Sequence, residues 1–84
     1  MKLVFSEQAW EDYLYWQKTN MRMVKRINGL IKEITRTPYQ GKGKPEPLKY
    51  ALTGYWSRRI NDEHRIVTKV IDDAVFIAQL RYHY

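Results

Sequence analysis

The apolar residues in the first half of the chain recur with the period of an α-helix. After a short β-prone start at residues 2–5, Ser6 followed by Glu7 has the pattern of an N-cap with an acidic residue in the first helical turn. A helix is predicted from there to about Gln17, because apolar residues at i, i+3 and i+4 spacing share one of its faces. These residues are Trp10, Tyr13 and Leu14.

A second helix is predicted after the break that Thr19 and Asn20 offer. Its apolar residues lie at near-heptad spacing, and basic residues occupy the outward face. Pro38 prevents continuation beyond Thr37, because proline lacks the amide hydrogen and restricts the residue before it. The apolar stripe consists of Val24, Ile27, Ile31 and Ile34. Together the two segments predict a helical hairpin.

The second half of the chain changes to the alternating pattern of β-strands. Residues 38–47 contain all three prolines and two of the four glycines, so no regular structure is expected there. Strands are predicted at residues 48–52, 55–61, 64–71 and 75–84, joined by short turns that favour an antiparallel meander. The predicted fold class is α+β: one domain over residues 1–84, with the helical hairpin packed on one face of a mainly antiparallel twisted sheet.

Alternation within the strands predicts which residues share the sheet face that the helices leave open. The even positions of the last strands are expected in the core, namely Ile66, Val70, Phe76, Ala78, Leu80 and Tyr82. The odd positions are expected on the open face, namely Tyr55, Ser57, Arg59, Arg65, Lys69, Gln79, Arg81 and His83. This assignment requires odd-length loops, such as three residues centred on Asp62 and on Asp73. A two-residue loop would reverse the register, and the sequence leaves that choice open.

Composition narrows the function classes. A net charge of +6 and a pI near 9.7 indicate a polyanionic partner such as nucleic acid. The absence of cysteine excludes disulfides and thiolate sites, and two histidines among scattered carboxylates match no metal-ligand spacing, so no metal or other cofactor is expected. The apolar runs are far shorter than the roughly 20 residues of a membrane span, and the start lacks a signal-peptide core, so the expected location is the cytoplasm.

One carboxylate is expected among the cations of the open face. Glu46 stands between Pro45 and Pro47, which stiffen its backbone, and the same stretch supplies Lys44 and Lys49. A carboxylate fixed among cations is either a structural ion pair or a base.

Cleavage of RNA by its own 2′-hydroxyl suits such a set of residues. It requires a base for the hydroxyl, cations for the charge on the phosphate and an acid for the departing 5′-oxygen. Glu46, Arg65 and His83 fit these roles in that order, with Lys49 and Arg59 as further cations. Unpaired bases can stack on an aromatic side chain, for which the candidates are Tyr55, Trp56 and Tyr84.

Ordinary structural roles compete with this chemistry at each position. A histidine near a chain end, such as His83, is more often a surface residue, and Glu46 alone is usually part of a loop ion pair. His64, beside a turn, is interpreted as a structural or surface residue. Strand arginines are by default solvated, which applies to Arg58, Arg59 and Arg65.

Four ordered motifs add a resemblance that covers essentially the whole chain. They are the runs at residues 41–49, 54–60, 63–67 and 81–84, and the segment at residues 10–16 accompanies them. This set resembles the YoeB-type toxins of the RelE/ParE superfamily. The resemblance implies a RelE-like microbial RNase fold and a bacterial toxin that cleaves mRNA in the ribosomal A site during translation.

The resemblance also implies roles for individual residues and a set of partners. Matching the motifs makes Glu46 the general base, His83 the general acid and Arg65 the phosphate stabiliser. The resemblance also implies that Lys49 and Arg59 assist and that Tyr84 orients the substrate. Lys44 and Arg81 are further expected RNA contacts because of their positions in the loop and in the last strand. The implied partner is a YefM-type antitoxin whose acidic, disordered C-terminal segment folds onto the toxin, and operator DNA is reached only through that complex. The family includes homodimers.

Two other function classes remain open at this point. A ParE-like toxin would inhibit DNA gyrase by binding, without RNA chemistry. A basic RNA-binding or ribosome-binding module would use its cations alone. The pairing of Glu46 with His83 argues against both, because a binding protein needs neither an acid nor a base.

Overall fold

Two helices and a five-stranded sheet make up the part of the chain that the computed structural model describes, residues 1–82. The elements are β1 (Lys2–Phe5), α1 (Glu7–Thr19), α2 (Met21–Arg36), β2 (Glu46–Pro47), a 3₁₀ turn (Tyr50–Leu52), β3 (Trp56–Arg59), β4 (Arg65–Ile71) and β5 (Ala74–Gln79). The strand order is β1-β5-β4-β3-β2, with β1 parallel to β5 and the other neighbours antiparallel. The predicted α+β fold is confirmed.

Both helices begin at the predicted caps. The Ser6 hydroxyl accepts a hydrogen bond from the amide of Ala9 and donates one to the carbonyl of Ala78, so this cap also ties α1 to β5. The Asn20 side chain accepts from the first free amides of α2. The helix ends at Arg36, two residues before the proline of the loop. The hairpin is present as predicted, and α1 extends two residues further, to Thr19. The predicted apolar face of α1 is not its buried face, because Trp10 and Leu14 are exposed while Ala9, Asp12 and Trp16 are buried.

An apolar core lies between the hairpin and one face of the sheet. Ile27 and Ile34 of α2 are almost completely buried there, as are Ile66 of β4 and Val75 and Ile77 of β5. Burial of such side chains is the main stabilising contribution to a fold of this size. The predicted core positions Val24, Ile31 and Leu80 also belong to this cluster.

The register of β5 reverses the predicted face assignment of its first residues. A two-residue turn, Asp72 and Asp73, joins β4 to β5, so Ile71 pairs with Ala74. Val75 and Ile77 consequently face the helices, and Phe76, expected in the core, is 37% exposed. The shorter turn is the physical reason, because a change of one residue moves every side chain to the other face.

Further along β4 and β5, a β-bulge returns the odd-numbered position Gln79 of β5 to the open face, as predicted. It lies between Val67 and Thr68, and beyond it Val67 pairs with Gln79. The β3–β4 connection has five residues, one of the odd lengths that the predicted face assignment required, and Arg59 pairs with Arg65. The parity of the sheet is therefore correct near the predicted site and wrong near the Asp72 turn.

Three predicted element boundaries are wrong. The strand expected at residues 48–52 is absent, because Tyr50–Leu52 forms the 3₁₀ turn. Glu46–Pro47, within the stretch expected to be irregular, pairs with β3. Strand β5 ends at Gln79, because side chains of α1 occupy both backbone groups of Leu80. Tyr82, expected in the core, is 57% exposed.

No helix within residues 1–82 is long and apolar enough to cross a membrane.

Candidate active site

The cross-strand pairs of the sheet place Glu46 on the face opposite the helices. Glu46 pairs with Ser57, Ser57 with Val67, and Val67 with Gln79. Residues paired across neighbouring strands project from the same face. The adjacent pair, Arg58 with Ile66, faces the apolar core, so the Glu46 row lies on the open face.

Two arginines form the next row on that face. Arg59 follows Ser57 by two positions and pairs directly with Arg65. Arg59 is exposed, whereas Arg65 is half-buried. Like charges directly opposite one another on a sheet are destabilising, and a bound anion would remove the repulsion. The structure thus brings the predicted residues Glu46, Arg59 and Arg65 together on one face.

The guanidinium of Arg65 is held by the loop between β3 and β4. Its Nη1 donates to the carbonyl oxygens of Asn61 at 2.7 Å, His64 at 3.1 Å and Asp62 at 3.3 Å. These contacts restrict the rotamers of a long side chain. Arg65 is therefore held in place before any ligand binds, while Arg59 is the more accessible cation of the pair.

Arg58 anchors the loop that leads to Glu46. Its side chain is 2% exposed, and its guanidinium donates to the carbonyl oxygens of Thr37 at 2.5 Å, Gln40 at 2.9 Å and Lys42 at 3.1 Å. Burial lowers the pKa of Arg58, and the charge of Glu33 partly opposes this effect. The default interpretation of Arg58 as a solvated residue is wrong, because it lies on the core side of β3.

Gly43 allows the same loop to pass close to β3. Its carbonyl accepts from the amide of Arg59 at 2.7 Å, and its φ of +84° lies in the left-handed region. A Cβ at this position would meet the Arg59 carbonyl oxygen at 3.0 Å and Leu30 Cδ2 at 3.2 Å. The loop therefore reaches the sheet where only glycine fits well. Lys44, which follows, is exposed.

Lys49 shares a cleft with Glu46. The backbone amide of Leu48 donates to the carbonyl of Tyr55 at 2.9 Å, which continues the β2–β3 pairing to the base of the cleft. The cavity measures about 690 Å³ and is lined by Glu46, Pro47, Leu48, Lys49, Tyr50 and Leu52. The predicted carboxylate and the predicted cation thus meet at one concave surface.

Tyr55 and Trp56, two of the candidates for base stacking, already contact other side chains of the protein. The ammonium of Lys69 lies 5.2 Å from the ring centroid of Tyr55. The ring of Trp56 lies 4.9 Å from that of Tyr39. Their role in stacking on bases remains a prediction.

The end of the described chain is fixed by polar contacts with α1 and the β3–β4 loop. The buried carboxylate of Asp12 accepts from the amide of Leu80 at 3.0 Å, and Trp16 Nε1 donates to the carbonyl of Leu80 at 2.9 Å. The amide of Tyr82 donates to His64 Nδ1 at 2.7 Å. His64 is buried, so the structural interpretation of this residue is the correct one. Sequence reasoning assigned no site role to Asp12 or Trp16.

The predicted acid His83 and the predicted orienting residue Tyr84 lie outside the described residues. The described contacts of this segment include the carbonyl of Tyr82, which accepts from the amide of Arg65 at 3.1 Å. The chain therefore approaches the Arg59–Arg65 pair along the backbone of β4.

Arg81 does not join the cations of the open face. Its guanidinium lies 3.6 Å from the ring centroid of Tyr15 on α1 and 4.6 Å from that of Tyr82. The expectation from strand alternation is wrong here because β5 has already ended at Gln79.

Within residues 1–82, no group of three or more His, Cys, Asp or Glu side chains is placed to hold a metal ion. The site that the structure does assemble has one carboxylate beside several cations.

Comparison with known proteins gives consistent matches. A family model described as "YoeB-like toxin of bacterial type II toxin-antitoxin system" matches residues 5–84. Toxin YoeB of Escherichia coli K12 is 63% identical over 84 residues, which is all of both chains. Two Staphylococcus aureus structures, a YoeB dimer and a heterotetrameric YoeB-YefM toxin-antitoxin complex, are each 53% identical and cover 100% of this chain and 98% of theirs, with TM-scores of 0.94 and 0.93.

Proposed function

This chain belongs to the YoeB-like toxins of bacterial type II toxin-antitoxin systems, and we propose that it is an endoribonuclease that cleaves mRNA in the ribosomal A site. The observation that carries the proposal is the placement of Glu46 on the same sheet face as the opposed pair Arg59 and Arg65. A carboxylate beside two cations is suited to removing a proton next to a phosphate.

In the proposed reaction, Glu46 accepts the proton of the 2′-hydroxyl while that oxygen attacks the adjacent phosphorus. The bond from phosphorus to the 5′-oxygen breaks, leaving a 2′,3′-cyclic phosphate and a 5′-hydroxyl. His83 is the proposed donor of the proton that the departing 5′-oxygen takes up, and Tyr84 orients the substrate. Proton transfers of this kind need no metal ion when base, acid and cations are all supplied by side chains.

The arginine pair is proposed to stabilise the negative charge that grows on the phosphate in the transition state. Donors that are already in place when the charge develops avoid the cost of reorganisation. The contacts of Arg65 with three loop carbonyls support this role, since they fix its guanidinium in advance. Arg59 and Lys49 are exposed and are proposed to close on the RNA backbone, with Lys44 as a more distant contact.

An antitoxin of the YefM type is the proposed protein partner. The Staphylococcus aureus relative forms a toxin-antitoxin complex with YefM. The net charge of +6 suits an acidic segment that folds onto the toxin surface. Binding of operator DNA is proposed to occur through that complex, and a homodimer is proposed by analogy with the YoeB dimer.

Cleavage of ribosome-bound mRNA in EDTA tests the enzymatic proposal. The wild type is expected to cut the message, whereas Glu46→Gln and His83→Gln each lose about 10²-fold or more of the rate. Glu11→Gln is the matched control, because this exposed carboxylate lies on α1.

The enzymatic activity and the role of Glu46 would be contradicted by different results. An intact message with the wild-type protein would eliminate the endonuclease, and inhibition of gyrase without cleavage would support the ParE-like alternative. Full cleavage by Glu46→Gln would remove this residue from the role of base while leaving the activity itself in place.

A further inference from the structure

Tyr50 presents its ring to solvent from a strained backbone. The residue is 91% exposed, although it is a large aromatic side chain. Its φ is +58°, in the left-handed region that is unfavourable for residues with a Cβ. Such an outlier on a loop suggests a functional role for the side chain.

The conformation of Tyr50 is imposed by the turn that follows it. The carbonyl of Tyr50 accepts from the amide of Thr53 at 3.1 Å and from its hydroxyl at 2.7 Å. The amide of Leu52 donates to the carbonyl of Lys49 at 3.1 Å. These bonds involve only the backbone of Tyr50, so glycine would form the same turn without strain. The tyrosine ring itself adds little buried surface in return.

Tyr50 lines the cleft that contains Glu46 and Lys49. Tyr50, Leu48 and Leu52 form apolar walls of the same cavity of about 690 Å³. The ring of Tyr50 can stack on a flat apolar group, and the ammonium of Lys49 can bind a negative charge joined to that group. An unpaired nucleobase with its phosphate has this chemistry.

We propose that Tyr50 is the stacking platform for an unpaired mRNA base next to the bond that is cut. The proposal rests on the function given above, since the cleft is that of Glu46. It assigns to Tyr50 a role for which the sequence offered Tyr55, Trp56 and Tyr84 as candidates. The rings of Tyr55 and Trp56 are engaged by Lys69 and Tyr39, respectively.

Replacement of Tyr50 by glycine distinguishes the contribution of the ring to activity from its contribution to stability. Tyr50→Gly removes the stacking surface and at the same time relieves the backbone strain. We expect kcat/KM for ribosome-bound mRNA to fall about tenfold or more, the size of effect that loss of one base stack produces. The melting temperature is expected to be unchanged or higher. Tyr50→Trp and Tyr50→Phe should keep most of the activity.

Asp72→Gly is the matched control. Asp72 is also exposed with a positive φ, +54°, and lies in the β4–β5 turn outside the cleft. It should gain stability in the same way and cleave as fast as the wild type. Equal cleavage by Tyr50→Gly and the wild type would overturn the stacking role.

Photo-crosslinking tests the contact without cleavage. A benzophenone amino acid at position 50, in a Glu46→Gln background on ribosomes carrying mRNA, is expected to crosslink to the message. Crosslinks solely to ribosomal RNA or ribosomal protein would overturn the proposal. This result is independent of whether the wild type cuts RNA, so failure of the enzymatic proposal and failure of the stacking role are distinguishable.

A protein ligand for the same cleft is the remaining alternative. If Tyr50→Gly cleaves normally but resists inhibition by a YefM-type antitoxin, the cleft binds the antitoxin and the mRNA role is wrong. If both cleavage and crosslinking to mRNA depend on the ring, the base-stacking role stands.

Discussion

The core and the site-bearing segments of this protein are held together by different forces. Ile27 and Ile34 of α2 pack against Ile66 and Ile77 of the sheet, and all four are almost completely buried. The loop before Glu46 and residues 80–82 after β5 are instead held by side chains that bond to backbone carbonyls and amides. Apolar packing therefore builds the scaffold, and a few polar side chains place the segments that carry the proposed chemistry.

This difference has consequences for substitution. Apolar contacts are numerous and weak, so the loss from one core residue spreads through the fold. A polar anchor makes a few directed bonds, and its loss releases one segment. Substitutions in the core should therefore lower the free energy of unfolding in proportion to the side-chain volume removed. Substitutions of a polar anchoring residue should lower RNA cleavage by more than the fraction of protein that they unfold.

The largest loss of stability is expected in the core. Ile27→Ala should lower the free energy of unfolding by about 2 to 5 kcal/mol, because it removes buried methyl groups and leaves a cavity. Urea denaturation measures the loss. Met21→Ala, at an exposed position of the same helix, should change stability by no more than about 0.5 kcal/mol. Similar losses for the two variants would contradict the description of the core.

Arg58→Met should have the next largest effect. It removes the donor to three loop carbonyls, whose charge-assisted hydrogen bonds stabilise the fold, but it also removes the cost of burying a guanidinium. Because the two effects oppose each other, a net loss of about 2 kcal/mol is expected. RNA cleavage should fall further than the unfolded fraction explains. The adjacent Arg59→Met is the stability control, because Arg59 is exposed. An equal loss of stability at Arg59 would show that burial of Arg58 is unimportant.

Asp12→Leu should have a smaller effect, concentrated at the end of β5. The buried amide of Leu80 loses its acceptor, which costs about 1 to 3 kcal/mol. Asp12→Asn retains an oxygen acceptor and should recover part of this loss. Glu11→Leu, at an exposed position beside it, serves as the control in the same denaturation and cleavage assays. Asp12→Leu with unchanged cleavage would show that the anchoring of residues 80–82 does not affect the site.

Two glycine substitutions should give the smallest effects, with opposite signs. Gly43→Ala should cost about 1 kcal/mol, because its positive φ and the nearby Arg59 carbonyl oppose a Cβ. Gly29→Ala should stabilise by about 0.5 to 1 kcal/mol, since a Cβ there meets open space within α2. Thermal denaturation compares the two. Stabilisation by both would show that the loop tolerates movement away from β3.

Sequence patterns predicted the scaffold because it depends on local signals. Ser6 and Asn20 are caps that require only their own helix, and the stripe of α2 defines its buried face. Strand alternation placed Arg59 and Arg65 on one face for any odd loop length, which the structure has. These features depend on neighbours in sequence, which is why they could be read from it.

The anchors were missed because they depend on distant partners. Arg58 has the same sequence signature as the exposed Arg59, and its burial follows from carbonyls 16 to 21 residues earlier in the chain. The alternation of residues along the strand did place position 58 on the core side, and this was the one sequence signal for the burial of Arg58. Asp12 reaches Leu80 across 68 residues, and no local pattern announces that contact.

Register was the other limit of prediction. Whether Asp72 and Asp73 form a two-residue turn or part of a three-residue loop changes the face of every following side chain. The bulge at Val67 then reverses that change, so the assignments of Phe76 and Gln79 had different outcomes. Single-residue choices of this kind depend on packing across the whole sheet.

Native-state hydrogen exchange of the wild type and Arg58→Met tests the central distinction most directly. In the variant, the amides of Leu48 and Arg59, which bond to the β3 edge and the loop, are expected to lose protection by about tenfold or more beyond the loss at Ile31 in α2. That result would show that Arg58 holds the loop while apolar packing holds the fold. Equal loss of protection at all three amides would contradict the account, because Arg58 would then support the whole structure.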